Sequence, residues 1–394
     1  MRDRRPGTRG RIAFVRLGVF SHTNDSVLEL LRREFPEFDV DVVDLHRLGA
    51  TRVVSSPMHL YHALRVYGRR LAQRPWPLRV LAARTPYAFE RTRRLLAREL
   101  GRAPYVFTFQ TQSVFDASQP GIAHFVYTDH THLANLGYPA FDRSRLLSEE
   151  WIECERSIYR NATLNLTMST NIARSIVEQY GCPPSAVACV YAGTNTEFPR
   201  QVSRGPDSYR SRHILFVGVD WERKGGPQLL AAFERVRRVY PDAGLTIVGC
   251  APGIDVPNCR VVGRVPLGEV SRYYREASVF CLPTRLEPFG IAFLEASAHA
   301  LPVVGTRIGA IPDFIEDGRS GYLVADGDVD GLAARLVELL GDPDKCRAFG
   351  EYGRRSVRER YTWEATGKRI RQAIARTLGL PQTPVNPRER EGIA

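Results

Sequence analysis

The feature that most constrains this chain is the alternation of short β-branched runs with longer helical patterns along most of its length. In the first half, strands are predicted at 12–19, 38–45, 104–110, 122–128 and 162–168, and helices near 24–34, 58–72, 86–101, 144–160 and 170–180. In the second half, strands are predicted at 213–218, 244–248, 259–262, 278–282, 302–305 and 321–324, and helices near 225–240, 268–276, 290–300, 312–316, 328–340, 343–359 and 362–378. This alternation is typical of parallel sheets with helices on both faces, so the expected fold class is α/β.

The length of 394 residues is too great for one typical core and suits two domains. The polar segment 199–212 contains Pro and Gly and is typical of a linker, whereas the Pro-rich tail 381–394 predicts disorder. The expected domains are therefore two doubly wound, Rossmann-like units at 1–198 and 213–360, facing each other across a cleft. In open α/β sheets, ligands bind at the carboxyl ends of the strands. Functional residues are therefore expected in the loops that follow the strands.

The charge balance narrows the choice of partners. The formal net charge is +12, and of the 55 Lys and Arg residues only those at 224, 345 and 368 are Lys. An excess of positive charge favours nucleic acid, an anionic membrane or a phosphate-bearing ligand. The sequence carries no zinc-finger, RNP or helix-turn-helix signature, so no nucleic-acid partner is expected. Seven scattered cysteines without a CxxC pair favour free thiols in a reducing cytoplasm.

The loop after the first strand of the second domain indicates a phosphate site. In "FVGVDWERKGGPQLL", Gly218 ends the strand, and Arg223 and Lys224 precede two glycines and an apolar helix. Cations beside the free N–H groups of a helix N-terminus favour an anionic ligand. A charged surface loop with a glycine turn explains the same pattern, and both interpretations stay open.

The segment "EPFGIAFLEASAHALPVV" places Glu287 in a loop and Glu295 inside the helix that follows it. Pro288 and Gly290 end the strand region, and the N–H groups of Phe289 and Gly290 are exposed at the start of the helix. Carboxylates accept paired hydrogen bonds from vicinal hydroxyls, as on a ribose or a hexose. A helix cap followed by a solvated glutamate is the structural alternative.

A polar cluster follows the fourth strand of the first domain. In "AHFVYTDHTHLANLGYPA", Asp129, His130 and His132 lie at a strand end, where they either contact substrate or serve as structural groups. A His-x-His spacing permits a metal, but no convincing third ligand accompanies it. No metal is therefore expected.

Together these segments resemble the retaining glycosyltransferases of family 4, which have the GT-B fold. The most specific element is Glu287, seven intervening residues and Glu295, followed by "GTRIGAIPDFIEDGRSGYLV". "LFVGVDWERKGG" is similar to the family's strand-Gly-loop-Lys-Gly segment. "YTWEATGKRI" resembles its closing helix, which implies that 361–380 crosses back to the first domain. The resemblance covers the second domain and the last third of the first.

The resemblance implies a role for each of these residues. Glu295 would hold the donor ribose, Glu287 with the N–H groups of Phe289 and Gly290 the donor hexose, and Lys224 with Arg223 the diphosphate. His130 would lie near the hexose and the acceptor, with Asp129 as a weaker candidate beside it. The remaining candidates are Ile291, Gly218, Gly263 and Arg264 on the donor side and Gly18, Phe20 and Ser21 on the acceptor side.

Three positions depart from the family pattern. Val219 stands where the family usually has Arg after the glycine, and Gly18 stands alone where the family has two glycines. The family's Asn-Gly-Val-Asp loop reads Ala-Gly-Thr-Asn at 192–195. These departures affect the phosphate loop, the acceptor side and the last loop before the linker.

The implied reaction moves a hexose-type sugar, with retention, from a nucleotide diphosphate sugar to a glycan, lipid-linked or small-molecule acceptor, without metal or cofactor. A nucleotide-sugar epimerase and a non-catalytic nucleotide-sugar-binding protein are the alternatives. An epimerase would convert the donor alone, whereas a transferase needs an acceptor.

The composition of the segment 65–100 suggests where in the cell the protein acts. It carries ten Arg against two Glu, with Trp76, Tyr87 and Phe89 among them. Basic residues beside exposed apolar ones suit an anionic membrane surface, which would make this cytoplasmic protein peripheral at the inner face of the membrane. Two ordinary helices with solvated Arg faces would explain the same composition.

Overall fold

A computed structural model of the chain describes residues 9–18, 20, 23–50, 56–68, 76–194, 198–199, 204 and 206–381. Within these residues there are two parallel sheets of six strands each. Both are flanked by helices, which is the α/β architecture that the alternating pattern predicts.

The first sheet has the strand order β2-β1-β3-β4-β5-β6. Its strands are β1 Gly10–Arg16, β2 Phe38–Asp44, β3 Tyr105–Thr111, β4 Ala123–Thr128, β5 Leu164–Thr167 and β6 Val187–Cys189. Its helices are α1 Asn24–Glu34, α2 Pro57–Tyr67, α3 Leu78–Ala83, α4 Pro86–Leu100, α5 Glu149–Asn161 and α6 Thr170–Glu178.

The second sheet has the strand order β12-β11-β10-β7-β8-β9. Its strands are β7 His213–Val217, β8 Gly244–Val248, β9 Cys259–Gly263, β10 Val279–Leu282, β11 Val303–Thr306 and β12 Gly321–Val324. The helices are α7 Pro206–Arg210, α8 Gly226–Val239, α9 Leu267–Glu276, α10 Ile291–Ala298, α11 Ile311–Phe314, α12 Val329–Gly341, α13 Pro343–Arg360 and α14 Trp363–Leu378.

Several elements differ from those that the sequence predicts. The strand β6 and the helices α3 and α7 are additional, and each is six residues or shorter. The helix α5 starts at 149 and not 144, because the Ser148 hydroxyl caps it by accepting the N–H of Trp151 at 3.3 Å. The helix α2 ends at Tyr67, followed by Gly68 with φ +38°, and 69–72 of the predicted helix lie outside the described residues. The short helix α7 falls inside the predicted linker, and the predicted tail beyond 381 also lies outside the described residues.

Apolar strands form the core because both faces of each sheet are covered. In the first sheet, Phe107 lies between Phe35 and Phe125, with ring centroids 5.4 and 5.3 Å away in edge-to-face contacts. In the second sheet, residues such as Leu215 and Phe280 have no solvent exposure. Strands buried on both faces are expected to be continuously hydrophobic, as the central strands β7 and β10 are.

Contacts between the two halves fix how the sheets face each other. Helix α14 packs on α1, where Arg33 Nη2 donates to the Trp363 carbonyl at 3.1 Å. The Trp363 indole N–H donates to the Thr194 carbonyl at 2.9 Å. The Asp313 carboxylate accepts the N–H of Thr170, at the start of α6, at 2.7 Å. A carboxylate from the second half therefore caps a helix of the first.

Candidate functional site

The loops after β7 and β10 form one side of the site because these strands are neighbours in the sheet. The N–H of Arg285 donates to the Arg223 carbonyl at 2.9 Å, and Arg223 Nη1 donates to the Leu286 carbonyl at 2.9 Å. These bonds tie the two loops together. They bring the Lys224 ammonium into an ion pair with the carboxylate of Glu287, whose residue is only 5% exposed.

The Lys224–Glu287 pair is a contact that sequence reasoning did not anticipate. The resemblance implied separate roles for these side chains, one on a diphosphate and one on a hexose. Removing two charges from water is costly unless they pair. In the structure each therefore serves as the partner of the other, and these proposed roles remain predictions.

Two glycines set the starts of the helices that face the cleft. Gly225 precedes α8 with φ +75°, and a side chain there would overlap the Pro283 carbonyl. Gly290 precedes α10 with φ +101°, and a Cβ there would come within 2.9 Å of the Phe314 ring. Both positions require glycine, and both helices begin with backbone N–H groups that have no partner inside the helix.

Glu295 lies one turn inside α10 and is buried. One of its carboxylate oxygens accepts the hydroxyl of Tyr274 at 3.1 Å. The Tyr274 ring stacks on His299, with centroids 5.2 Å apart. Burial, with the nearby Glu295 carboxylate, raises the pKa of Tyr274, so the phenol stays a hydrogen-bond donor.

The other donor-side candidates occupy varied environments. Phe289 is buried with its ring 5.9 Å from that of Phe314, so its side chain is part of the core. Ile291 is half-buried at the first position of α10, and Gly218 lies against Lys224, whose Cγ would be 3.1 Å from an added Cβ. Gly263 ends the edge strand β9, and Arg264 after it is exposed.

His130 and Asp129 face the cleft from the first sheet, at the end of β4. The hydroxyls of Thr128 and Ser113 donate to the His130 carbonyl at 2.8 and 3.1 Å and hold this loop. Removal from water lowers the pKa of His130 to about 4, so the ring is neutral at pH 7. The same effect, with the negative charge of Glu287 nearby, raises the pKa of Asp129 to about 7.

Tyr138 connects the two sides of the cleft. Its ring stacks on His130 at a centroid distance of 6.4 Å, and its hydroxyl donates to the Glu287 carbonyl at 2.9 Å. His130 and Glu287 therefore lie on opposite sides of one cleft, in contact with the same tyrosine. Nothing in the sequence pattern distinguished Tyr138 or Tyr274 from other tyrosines.

His132 has a structural role. Its Nε2 accepts the N–H of Leu147 at 2.8 Å, and its own backbone N–H donates to the Glu155 carboxylate at 3.0 Å. Across the part of the chain that the structure describes, no three His, Cys, Asp or Glu side chains are gathered as metal ligands.

Of the candidates on the acceptor side, Phe20 lies beside the loop that carries Asp129 and His130. Phe20 is buried and lines a cavity together with Asp129 and His130. Gly18 has φ +58°, and its carbonyl accepts the amide of Asn24 at 2.7 Å. Ser21 lies outside the described residues.

Comparisons with known proteins bear on the family and the fold. The family described as "Glycosyltransferase Family 4" matches residues 18–198, and "Glycosyl transferases group 1" matches residues 211–342. The D-inositol 3-phosphate glycosyltransferase of Corynebacterium urealyticum is 28% identical over 68% of this chain and 70% of the relative. A GDP-mannose-dependent alpha-(1-6)-phosphatidylinositol monomannoside mannosyltransferase of Mycolicibacterium smegmatis is 33% identical over 39% of this chain, which spans only 45% of that relative.

Solved structures share the fold at low identity. Sucrose-phosphate synthase from Thermosynechococcus elongatus has a TM-score of 0.71 at 17% identity, covering 95% of this chain and 100% of that one. An Anabaena protein solved in complex with UDP and glucose has a TM-score of 0.61 at 13% identity, covering 92% and 99%.

The two six-stranded parallel sheets, one in each half of the chain, define a two-domain α/β protein. The chain belongs to the family 4, group 1 glycosyltransferases and has their GT-B fold. The predicted fold class and the predicted glycosyltransferase family are confirmed.

Proposed function

We propose that this glycosyltransferase moves a hexose-type sugar from a nucleotide diphosphate sugar to a polyol, glycan or lipid-linked acceptor, with retention of configuration and without a metal. The observation that carries the proposal is the cleft itself. Lys224 and Glu287 lie beside the N-termini of α8 and α10, and His130 lies on the opposite side. This arrangement offers positive charge to a diphosphate and carboxylate oxygens to sugar hydroxyls.

The ion pair suggests how donor binding prepares the site. A diphosphate placed at the start of α8 competes with Glu287 for the Lys224 ammonium. The carboxylate released in this way accepts hydrogen bonds from the hexose. As the glycosidic bond breaks, negative charge grows on the diphosphate, where Lys224 and Arg223 stabilise it.

The acceptor hydroxyl approaches from the first domain. His130 is neutral at pH 7 and is available as a hydrogen-bond partner, while Asp129, with a pKa of about 7, is poised to take up a proton. We assign no covalent nucleophile, and the acceptor oxygen attacks from the face that the diphosphate leaves.

The names of the relatives support the acceptor class. One acts on D-inositol 3-phosphate and another on a phosphatidylinositol monomannoside with GDP-mannose as donor. Both names describe a polyol acceptor, free or lipid-linked. The epimerase and binding-protein alternatives gain no support from these names.

The first test is a panel of UDP-, GDP- and ADP-sugars screened by thermal shift, followed by kinetics with the donor that binds. Lys224→Ala should lower kcat about 100-fold or more, because it removes charge compensation that grows in the transition state. Glu295→Ala should mainly raise the donor KM, since its contact is made equally in the ground state.

The control is Lys368→Ala, since Lys368 lies on α14 and pairs with Glu364, away from the cleft. It should keep the kinetics of the unmodified enzyme. Near-normal kcat in Lys224→Ala would refute the diphosphate assignment. Conversion of the donor without any acceptor would favour an epimerase.

We also propose that the first domain rests on an anionic membrane surface. Helix α2 exposes Met58, Tyr61 and Leu64 at 50, 57 and 51% of their surface. Their spacing places them on one face of the helix, and the exposed Arg65 and Arg79 lie close by in the sequence. Of the described helices, none is long and apolar enough to cross a bilayer.

The structure revises the predicted segment 65–100 in two places. Phe89 is buried, with its ring 6.1 Å from Trp151, and Arg84 is only half-exposed, so neither belongs to an outer surface. The apolar part of the proposed membrane face comes mainly from 58–64, before the predicted segment. Arg69, Arg70 and Arg74 lie outside the described residues.

A further inference from the structure

A polar cavity of about 170 Å³ opens at the carboxyl ends of β3 and β4 in the first domain. It lies next to the Asp129–His130 loop. Arg84, Gln112, Trp151 and Glu155 are among its other lining residues. Its size suits a small polar group rather than a long glycan or an acyl chain.

The charged group in this cavity is Arg84. Its guanidinium lies over the face of Trp151, 4.9 Å from the ring centroid. Among the described residues, the Arg84 guanidinium donates no hydrogen bond and forms no salt bridge; only the backbone of Arg84 is hydrogen-bonded, to Leu81 and Tyr67. Desolvation lowers the pKa of Arg84, and the charge of the nearby Glu155 carboxylate offsets this effect only in part. A half-buried guanidinium whose desolvation outweighs the attraction of its nearby carboxylate favours a further anionic partner.

Glu155 is near enough for its charge to act on Arg84, but it forms no direct hydrogen bond or ion pair with the guanidinium. Glu155 accepts the N–H of His132 at 3.0 Å and the hydroxyl of Tyr159 at 3.1 Å, and it also accepts the hydroxyl of Tyr180. Burial raises the pKa of Asp129 to about 7, so this group carries only part of a full negative charge near neutral pH. Neither carboxylate therefore prevents an anion from reaching Arg84.

Two further polar atoms at the cavity have no partner among the described residues. They are Oε1 of Gln112 and Nδ1 of His130, and both are buried. Gln112 also has φ +72°, a conformation that residues other than glycine rarely adopt. Two backbone bonds hold it there: its N–H donates to the Tyr127 carbonyl at 2.9 Å, and its carbonyl accepts the Gln110 amide at 2.8 Å. Strained backbone and unpaired polar atoms together are typical of a ligand site.

We propose that this cavity is an anion-recognising acceptor subsite for a small polyol that carries a phosphate or a carboxylate. Arg84 pairs with the anionic group, and Gln112 and His130 accept or donate hydrogen bonds at the hydroxyls. This pairing places the reactive hydroxyl beside Asp129, at the edge of the donor cleft. The inference rests on the proposed function in that it takes the ligand to be the sugar acceptor.

Calorimetric titration of the whole chain tests the subsite. The probes are myo-inositol 1-phosphate and glucuronate, each compared with its neutral counterpart, myo-inositol or glucose. The unmodified protein should bind one anionic probe at least about tenfold more tightly than its counterpart, equivalent to a charge-assisted pair. The stronger of the two anionic probes identifies the group as phosphate or carboxylate.

Arg84→Gln should abolish this preference, whereas Arg98→Gln, an exposed arginine on α4, should keep it. Equal binding of charged and neutral probes by the unmodified protein would overturn the proposal. So would an unchanged preference in Arg84→Gln.

Gln112→Gly provides a second variant if Arg84→Gln does not fold. Glycine suits a φ of +72°, so this variant should be at least as stable as the parent. It should bind the preferred anionic polyol about three- to tenfold more weakly, because one hydrogen bond is lost. Unchanged affinity for both probes in this folded variant would contradict the subsite.

UDP and GDP are titrated into the same samples. A protein that binds a nucleotide but shows no anion preference would refute only this inference. A protein that prefers the anionic polyol but binds no nucleotide would refute only the proposed function.

Discussion

At the residue scale, two histidines of the β4 segment, one inside the strand and one beyond its end, lie in different surroundings. His124 is buried within β4, and its Nδ1 lies 2.6 Å from the Thr108 hydroxyl. His130 follows the same strand, with its Nδ1 unpaired among the described residues. Desolvation lowers the pKa of both to about 4, so both rings are neutral near pH 7. His130 lines the cleft, whereas His124 lies inside the sheet, and each ring keeps one nitrogen unpaired among the described residues.

This contrast predicts different outcomes for the same substitution. His130→Ala should lower kcat about 100-fold while changing the free energy of unfolding by less than about 1 kcal/mol, because within the protein the ring loses only its contacts with Asn135 and Tyr138 at the edge of the cleft. His124→Ala should cost about 2–4 kcal/mol of stability and leave kcat nearly unchanged at low temperature, because it opens a cavity and strands a hydroxyl. Thermal unfolding measured beside initial rates separates the two. The reverse pattern would make His130 a structural residue.

At the element scale, helix α2 packs one face on the domain and exposes apolar side chains on the other. Ala63 and Tyr67 are buried, whereas Met58, Tyr61 and Leu64 point outward. Between α2 and α4, His62 stacks on Tyr87 with centroids 4.3 Å apart. This contact holds α2 against the arginine-rich helix α4. An outward apolar face beside positive charge is the arrangement expected of an interfacial helix.

Replacing Met58, Tyr61 and Leu64 together by Ser should weaken the affinity for anionic vesicles, measured by sedimentation, by about 100-fold or more, since roughly 1 kcal/mol per side chain is lost. Binding by the unmodified protein should weaken as salt rises and should be absent with neutral vesicles. The matched control replaces Val239 and Leu267, exposed apolar residues of the second half, by Ser. Equal binding to neutral vesicles, or no binding to either kind, would remove the membrane proposal.

At the scale of the whole molecule, the ionised form of Asp129 reduces the free energy of unfolding. Burial and the nearby Glu287 raise the pKa of Asp129 to about 7, so the fold favours its protonated form. A carboxyl whose folded-state pKa is raised contributes stability at low pH, and that contribution is lost as pH rises from its unfolded value of about 4 through 7. At pH 8 the folded protein must hold an unfavourable charge there.

Asp129→Asn should therefore raise the free energy of unfolding by roughly 2 kcal/mol more at pH 8 than at pH 5. The same variant should have lower activity. Thermal or urea unfolding at the two pH values measures this difference. The same substitution at the exposed Asp330 should change stability by less than about 0.5 kcal/mol at either pH. A variant less stable than the parent at pH 8 would contradict the assignment of Asp129 as a strained site residue.

The sequence by itself determined the elements and their ends over most of the chain. Period-two and period-3.6 patterns report which residues face a core, so the six strands of the second sheet were predicted to within a residue at each end. Other features can also be recognised locally in the sequence. They are the glycines that begin helices, such as Gly225 and Gly290, and the charged residues in the loops that follow strands. Short elements such as β6 and α3 were not predicted, because so few residues show too little periodicity.

Only the tertiary structure decided which of these residues meet. The pairing of Lys224 with Glu287 follows from the adjacency of β7 and β10, which lie more than sixty residues apart along the chain. The sequence around Arg84 resembles that around the neighbouring arginines. In the structure, however, the Arg84 side chain packs on Trp151 and lines a cavity, whereas Arg79 is exposed to solvent. Sequence periodicity fixes the face of an element, but strand order and helix packing fix its neighbours. The ligand contacts of this cleft depend on those neighbours.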